Sequence, residues 1–165
     1  MTASSSPSRT AAPRAVVLAL GNAWREDDGV GPFVADLLHG EHAARLPNDV
    51  EVRCARGELT EVLAALAAAP FVVAVDAARS GAPPGTVHRH DLADGPLPAA
   101  LAGLSSHGLG LAEALALAGK IGLPLPRVVV LAIEGAAFGT GRGLTPAVER
   151  GCAAAAETVL ELVRG

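Results

Sequence analysis

Apolar positions follow two rhythms along this chain. Six apolar residues run unbroken from Ala15 to Leu20, the pattern of a strand buried on both faces. Asp49–Cys54 alternates instead, with Val50, Val52 and Cys54 on one side, and predicts a second strand. Phe71–Val75 is continuous again and stops at Asp76, and Arg127–Ile133 repeats that pattern. Thr86–Asp91 alternates but is polar, which suits an edge strand. Helical spacing fills the gaps. Phe33, Val34, Leu37 and Leu38 share one face, with Pro32 in the first turn. Glu58–Ala69 points Leu59, Val62, Leu63 and Leu66 inward, with Glu58 and Glu61 at its favourable amino end. Ser105–Leu117 predicts a third helix. Pro146–Val163 predicts a long closing one, with Thr145 as N-cap and Val148, Cys152, Ala156, Val159 and Val163 on its inner face. Strands alternating with helices give an α/β fold: a three-layer α/β/α sandwich around a mostly parallel twisted sheet of about five strands, one edge strand antiparallel.

Composition narrows the class. At 165 residues the chain suits one domain, expected over residues 14–165, behind a flexible tail of residues 1–13 rich in Ser, Thr, Ala and Pro. Half the residues are apolar and 18% are charged, which excludes disorder over most of the length. A net charge of −4, with Lys120 the sole lysine, argues against nucleic acid as a partner. No apolar run approaches the roughly 20 residues that span a bilayer, so no membrane partner is expected. Ala15–Leu20 is also shorter than the h-region of about 7–15 residues in a signal peptide. Cys54 and Cys152 stand far apart, with no Cys-x-x-Cys, so neither a zinc ribbon nor a redox pair is expected, and a reducing cytoplasmic setting is.

The chemistry gathers at strand ends. Gly21-Asn22-Ala23-Trp24-Arg25-Glu26-Asp27-Asp28-Gly29-Val30-Gly31 joins the first strand to the first helix and carries three consecutive acids. Loops at the carboxyl ends of parallel strands are where open α/β sheets bind ligands. Crowded carboxylates there repel one another unless a cation, a partner or a proton is shared. Asp28 in this loop, Asp76 after the third strand and His107 at the start of the third predicted helix would meet at one rim if the first and third strands are neighbours. Two carboxylates and an imidazole form a mixed O/N set suited to nickel, zinc, iron or manganese. Taken singly, each has a plainer explanation as a cap or turn former; it is their convergence that makes a site. His88 and His90 share one face of the edge strand and are expected to be solvated there. Trp24 is expected to anchor its loop, with a grip on a substrate peptide the sharper alternative. Asn22 is expected to hydrogen-bond the loop, and Glu134 to cap the last strand or support the site.

These residues resemble the hydrogenase maturation protease family. Leu20-Gly21-Asn22 followed by Glu26-Asp27-Asp28-Gly29-Val30-Gly31 is similar to its opening signature, although Ala19 replaces a glycine common there. Val75-Asp76-Ala77, Ser106-His107-Gly108-Leu109-Gly110-Leu111 and Gly143-Leu144-Thr145-Pro146-Ala147-Val148 follow in the family's order. Cys54-Ala55-Arg56-Gly57-Glu58-Leu59-Thr60 replaces a Gly-Gly-Thr-type turn expected to shape substrate selection. The resemblance implies an α/β endopeptidase that cuts a short C-terminal extension from the large-subunit precursor of a nickel–iron hydrogenase after nickel insertion. It implies that Asp28, Asp76 and His107 bind the metal, nickel brought by the substrate. A monomer is expected, with either an aspartic-type or a metal-assisted mechanism. Ser105 and Ser106 lack a third group that would orient a nucleophile. Two alternatives stand beside this one. A phosphoacceptor receiver would explain the acids but needs a lysine where the last strand ends in Glu134. A catalytically silent binding relative would keep the motifs without the activity. A nucleotide-binding module is disfavoured, since Gly-x-Gly-x-x-Gly is missing and an acidic loop repels a pyrophosphate.

Overall fold

The computed structural model describes residues 11–102 and 110–165. Five strands, β1 (Ala15–Leu20), β2 (Val50–Ala55), β3 (Phe71–Ala78), β4 (Val87–Asp91) and β5 (Arg127–Glu134), form one sheet in the order β2-β1-β3-β5-β4. The first four positions in that order are parallel, and β4 closes the edge antiparallel to β5. The central strands β1, β3 and β5 are buried along almost their whole length, as their continuous apolar runs require. Helices α1 (Val30–His39) and α5 (Pro146–Arg164) pack against one face, through Val30, Val34 and Leu38 and through Val148, Cys152, Val159 and Val163. Helices α2 (Leu59–Ala68) and α4 (Leu111–Lys120) cover the other through Val62, Leu66, Leu111 and Ala114, joined by Leu101 of the short α3 (Ala99–Ala102). This is the expected three-layer sandwich. No helix among the described residues is long and apolar enough to cross a membrane.

Two elements depart from the expectation in ways that affect the site. β3 runs three residues past Val75, because Asp76, Ala77 and Ala78 pair with Ala132, Ile133 and Glu134 of β5. Asp76 therefore lies inside a strand rather than after it. Its pairing with β1 has already ended, at Ala19 opposite Val75, so Asp76 sits where β1 gives way to the acidic loop. Val73, Val75 and Ala77 face α1 and α5, while Val72, Ala74 and Ala78 face α2 and α4. The strand period of two puts Asp76 on the second face. The third predicted helix also changes. Gly110 is extended (φ −71°, ψ −172°), so α4 begins at Leu111 rather than Ser105 and runs on to Lys120. Ser105, Ser106 and His107 lie outside the described residues.

Two glycines of the opening motif are there for space. Gly31 lies where α1 crosses β1, and a Cβ on it would stand 2.1 Å from the carbonyl oxygen of Leu20. Gly21 has φ +135°, a left-handed value that suits glycine, and a Cβ there would stand 2.0 Å from the carbonyl oxygen of Asp28. Both close approaches fold the acidic loop down onto the end of the sheet.

Candidate active site

The acidic loop is built by its own side chains and by a second loop. Asn22 Oδ1 accepts from Trp24 N at 3.0 Å, the short Asx turn that Asn favours. Residues Glu26–Gly29 then form a 3-10 turn leading into α1. Glu26 takes the left-handed value φ +49°, unusual for a residue with a side chain. Two bonds hold it there: its N–H donates to Gly141 O at 3.1 Å, and its Oε2 accepts from Gly139 N at 2.7 Å. The second loop, residues 135–145 between β5 and α5, is itself braced. The Arg79 guanidinium lies 3.7 Å from the Phe138 ring centroid, and Arg25 Nη2 donates to Phe138 O at 3.4 Å.

Asp27 is the central tie between the two loops. It is fully buried. Its Oδ2 accepts from Ala136 N and Ala137 N, each at 2.8 Å, and from the Thr145 hydroxyl at 3.2 Å. Its Oδ1 accepts from Thr145 N at 2.8 Å. Thr145 does occupy the N-cap position of α5, but its side chain does not cap that helix; it turns to Asp27 instead. Read from the sequence as a residue that starts the helix and supports the site, Asp27 carries the tie between the two loops. The one available signal was its place between two glycines in the same motif as Asp28.

With the loop held this way, Asp28 is 4% exposed and Asp76 is 1% exposed. The 3-10 turn carrying Asp28 packs on the end of β3, which carries Asp76. Asp28 Oδ2 accepts from Asn22 N at 3.2 Å, and Asp76 Oδ1 accepts from Ala77 N at 2.8 Å. Neither Asp28 Oδ1 nor Asp76 Oδ2 takes a hydrogen bond among the described residues. Burial pushes the Asp76 carboxyl up to about 7; the Ala77 N–H opposes the shift and the charge of Asp28 adds to it. Such a carboxyl exchanges a proton near neutrality and suits general acid–base chemistry. The two free oxygens suit a divalent cation equally well. The structure thus brings Asp28 and Asp76 together as expected. His107 lies outside the described residues, so nothing here brings it to this pair. Among the described residues no group of three or more His, Cys, Asp and Glu side chains is placed to hold a metal.

The remaining candidates have structural partners. Glu134 is buried and accepts from Ser80 Oγ at 2.8 Å and Gly81 N at 2.9 Å, with His88 Nε2 at 3.3 Å. Burial opposes its ionisation, but the bonds from Ser80, Gly81 and His88 prevail and hold the carboxyl below its ordinary range. Glu134 therefore anchors the turn after β3 and caps nothing. His88 and His90 are engaged rather than merely solvated, His88 with Glu134 and His90 Nε2 with Gly95 O at 3.0 Å. Burial, then the charges of Asp27 and Glu149, push the Cys152 thiol up to about 12, so it serves as packing. Burial and the charge of Asp36 also raise Cys54.

A polar cleft of about 310 Å³ opens at the start of the acidic loop. Gly21, Asn22 and Trp24 form one wall; Cys54, Arg56 and Glu61 form the other. Glu61 belongs to the start of α2, and its Oε2 accepts from Arg56 N at 3.0 Å.

Comparison with known proteins bears on the family and the fold. A family model described as hydrogenase maturation protease matches residues 57–162. Among solved structures, the hydrogenase maturating endopeptidase HybD from E. coli superposes with a TM-score of 0.76 at 27% identity, over 92% of each chain. A hydrogenase 2 maturation peptidase from a Thaumarchaeota archaeon gives 0.65 at 26% identity, over 91% of this chain and 97% of that one. The HybD maturation protease of Thermococcus kodakarensis gives 0.69 at 20% identity over 90% and 98%, a likeness of fold. No curated protein sequence matches the chain.

Proposed function

The chain belongs to the hydrogenase maturation protease family, and from that premise we propose that it removes a C-terminal extension from the large-subunit precursor of a nickel–iron hydrogenase once nickel has been inserted. The observation that carries the reading is the buried pair of Asp28 and Asp76, each with one oxygen that takes no hydrogen bond among the described residues, at the carboxyl edge of the sheet. Asp28, Asp76 and His107 hold the nickel that arrives with the precursor, so the metal is substrate rather than resident cofactor. Occupation of the site then distinguishes finished precursor from unfilled precursor. The cut is hydrolytic. Asp76, poised near neutral pH, takes a proton from the attacking water. Nickel held by these residues would supply polarisation of the scissile carbonyl. The reaction takes place in the cytoplasm, with the protease as a monomer; the two unpaired cysteines support a reducing setting.

A receiver function finds no support in the structure, because β5 ends in the anchored Glu134 and Lys120 lies at the end of α4. The test is processing of the precursor in vitro, read as a loss of mass from the large subunit. Asp76→Asn and His107→Ala are expected to block processing while circular dichroism stays native. Full activity in both variants removes these residues from the mechanism, and a wild-type protein that binds precursor without cutting it is a silent relative.

A further inference from the structure

Trp24 is the only tryptophan of the chain, and it is 58% exposed beside a site whose acids are buried. The loop does not leave it mobile. Its N–H is held by Asn22 Oδ1, and its carbonyl accepts from Gly141 N at 3.0 Å. Gly141 also bridges to Arg25, so the backbones on both sides are pinned together. The next residue, Arg142, lays its guanidinium over the indole, 4.3 Å from the ring centroid. Stacking fixes the plane of an arginine and leaves its N–H groups pointing outward around the edge.

Those N–H groups have no carboxylate partner among the described residues. The nearby acids are committed elsewhere: Glu26 to Gly139 N, Glu61 to Arg56 N, and Asp27 to the 135–145 loop. Trp24 lines the cleft together with Gly21 and Asn22, and the Asn22 N–H donates to Asp28 Oδ2. An exposed, pre-ordered guanidinium with an unfilled fork, stacked on an exposed indole that lines a polar cleft, has the chemistry of a carboxylate receptor.

We infer that Trp24 and Arg142 together grip the precursor: the guanidinium takes a carboxylate of the segment flanking the cut, and the indole packs along that segment. This rests on the proposed function and adds a residue-level determinant of substrate choice to it. The carboxylate is either an acidic side chain or the terminal carboxylate of the extension.

The test uses the full-length protease and the nickel-loaded precursor, with KM and kcat measured separately. Arg142→Ala is expected to raise KM about tenfold, the worth of a charge-assisted contact, with kcat within about twofold. Arg142→Lys keeps the charge but not the planar fork and should recover only part of the loss. Trp24→Phe should sit closer to wild type than Trp24→Ala. A precursor with acidic side chains of its extension changed to amides, and one ending in a C-terminal amide, separate the two sources. The true source is the change that raises KM for wild type and has no further effect on Arg142→Ala. An unchanged KM in Arg142→Ala, or Arg142→Ala losing as much again with both altered precursors, overturns the inference while the wild-type enzyme still cuts. No cutting by wild type under any condition overturns the proposed function itself.

Discussion

Removing Asp27 should damage this protein more than removing either neighbouring acid. Its carboxylate takes four hydrogen bonds, three from backbone N–H groups and one from the Thr145 hydroxyl, at a fully buried position. Asp27→Asn keeps the shape but replaces one oxygen by an N–H₂ group that can only donate. Placed on the Oδ1 side, the amide meets Thr145 N and strands that donor; placed on the Oδ2 side, it strands the two backbone donors Ala136 N and Ala137 N, while the Thr145 hydroxyl can turn to accept. The first arrangement is the cheaper. One buried donor left unpaired costs about 1–3 kcal/mol, and weakening of the remaining bonds brings the total to roughly 2–4 kcal/mol. That is a large share of the roughly 5–15 kcal/mol that holds a domain folded. Thr145→Val removes only the longest of the four bonds and should cost about 1 kcal/mol. The assay is urea unfolding of the two single variants and the double variant. If the two residues form one tie, the losses are less than additive. A change below about 0.5 kcal/mol in Asp27→Asn, within the range of ordinary surface substitutions, would refute the idea that this carboxylate joins the two loops.

Other outcomes follow from the same geometry. The Asp76 carboxyl is raised from its ordinary 3.8 to about 7, so the native state holds a proton that the unfolded chain has released between those values. Its contribution is fully present below about pH 4 and is lost as pH rises through 7, an effect of up to about 4 kcal/mol at 1.36 kcal/mol per unit. Asp76→Asn should therefore flatten this part of the stability–pH curve, and an unchanged slope in urea titrations from pH 4 to 8 contradicts the assignment. Gly31→Ala forces a methyl group into the Leu20 backbone and should lower stability by about 1–3 kcal/mol through overpacking; a thermal midpoint equal to wild type would show that α1 does not pack this closely on β1.

The sequence carried the architecture because its central strands, such as Ala15–Leu20 and Arg127–Ile133, are unbroken apolar runs, and its helices carry their own period. Asp28 and Asp76 were legible for a related reason: each interrupts or follows such a run, at the edge where a parallel sheet opens to ligands. What could not be read was long-range partnership. The bonds of Asp27 reach 109 to 118 residues along the chain, and no local pattern encodes them. Thr145 looked like a helix cap because Thr before Pro usually is one, yet its hydroxyl serves Asp27. Glu134 looked like a strand terminator until the turn after β3 supplied Ser80 and Gly81. β3 looked short because an aspartate in a buried strand is improbable on polarity alone; pairing with β5 carries the strand through it. The run of apolar residues ends β3 at Val75, whereas the strand continues through Asp76 to Ala78.

The most direct test is to offer the wild-type protein the same hydrogenase large-subunit precursor in nickel-loaded and nickel-free form and to follow its mass over time. The loaded precursor should lose its C-terminal extension and the unloaded one should stay intact. Equal cutting of both would contradict the claim that Asp28, Asp76 and His107 read the metal carried by the substrate.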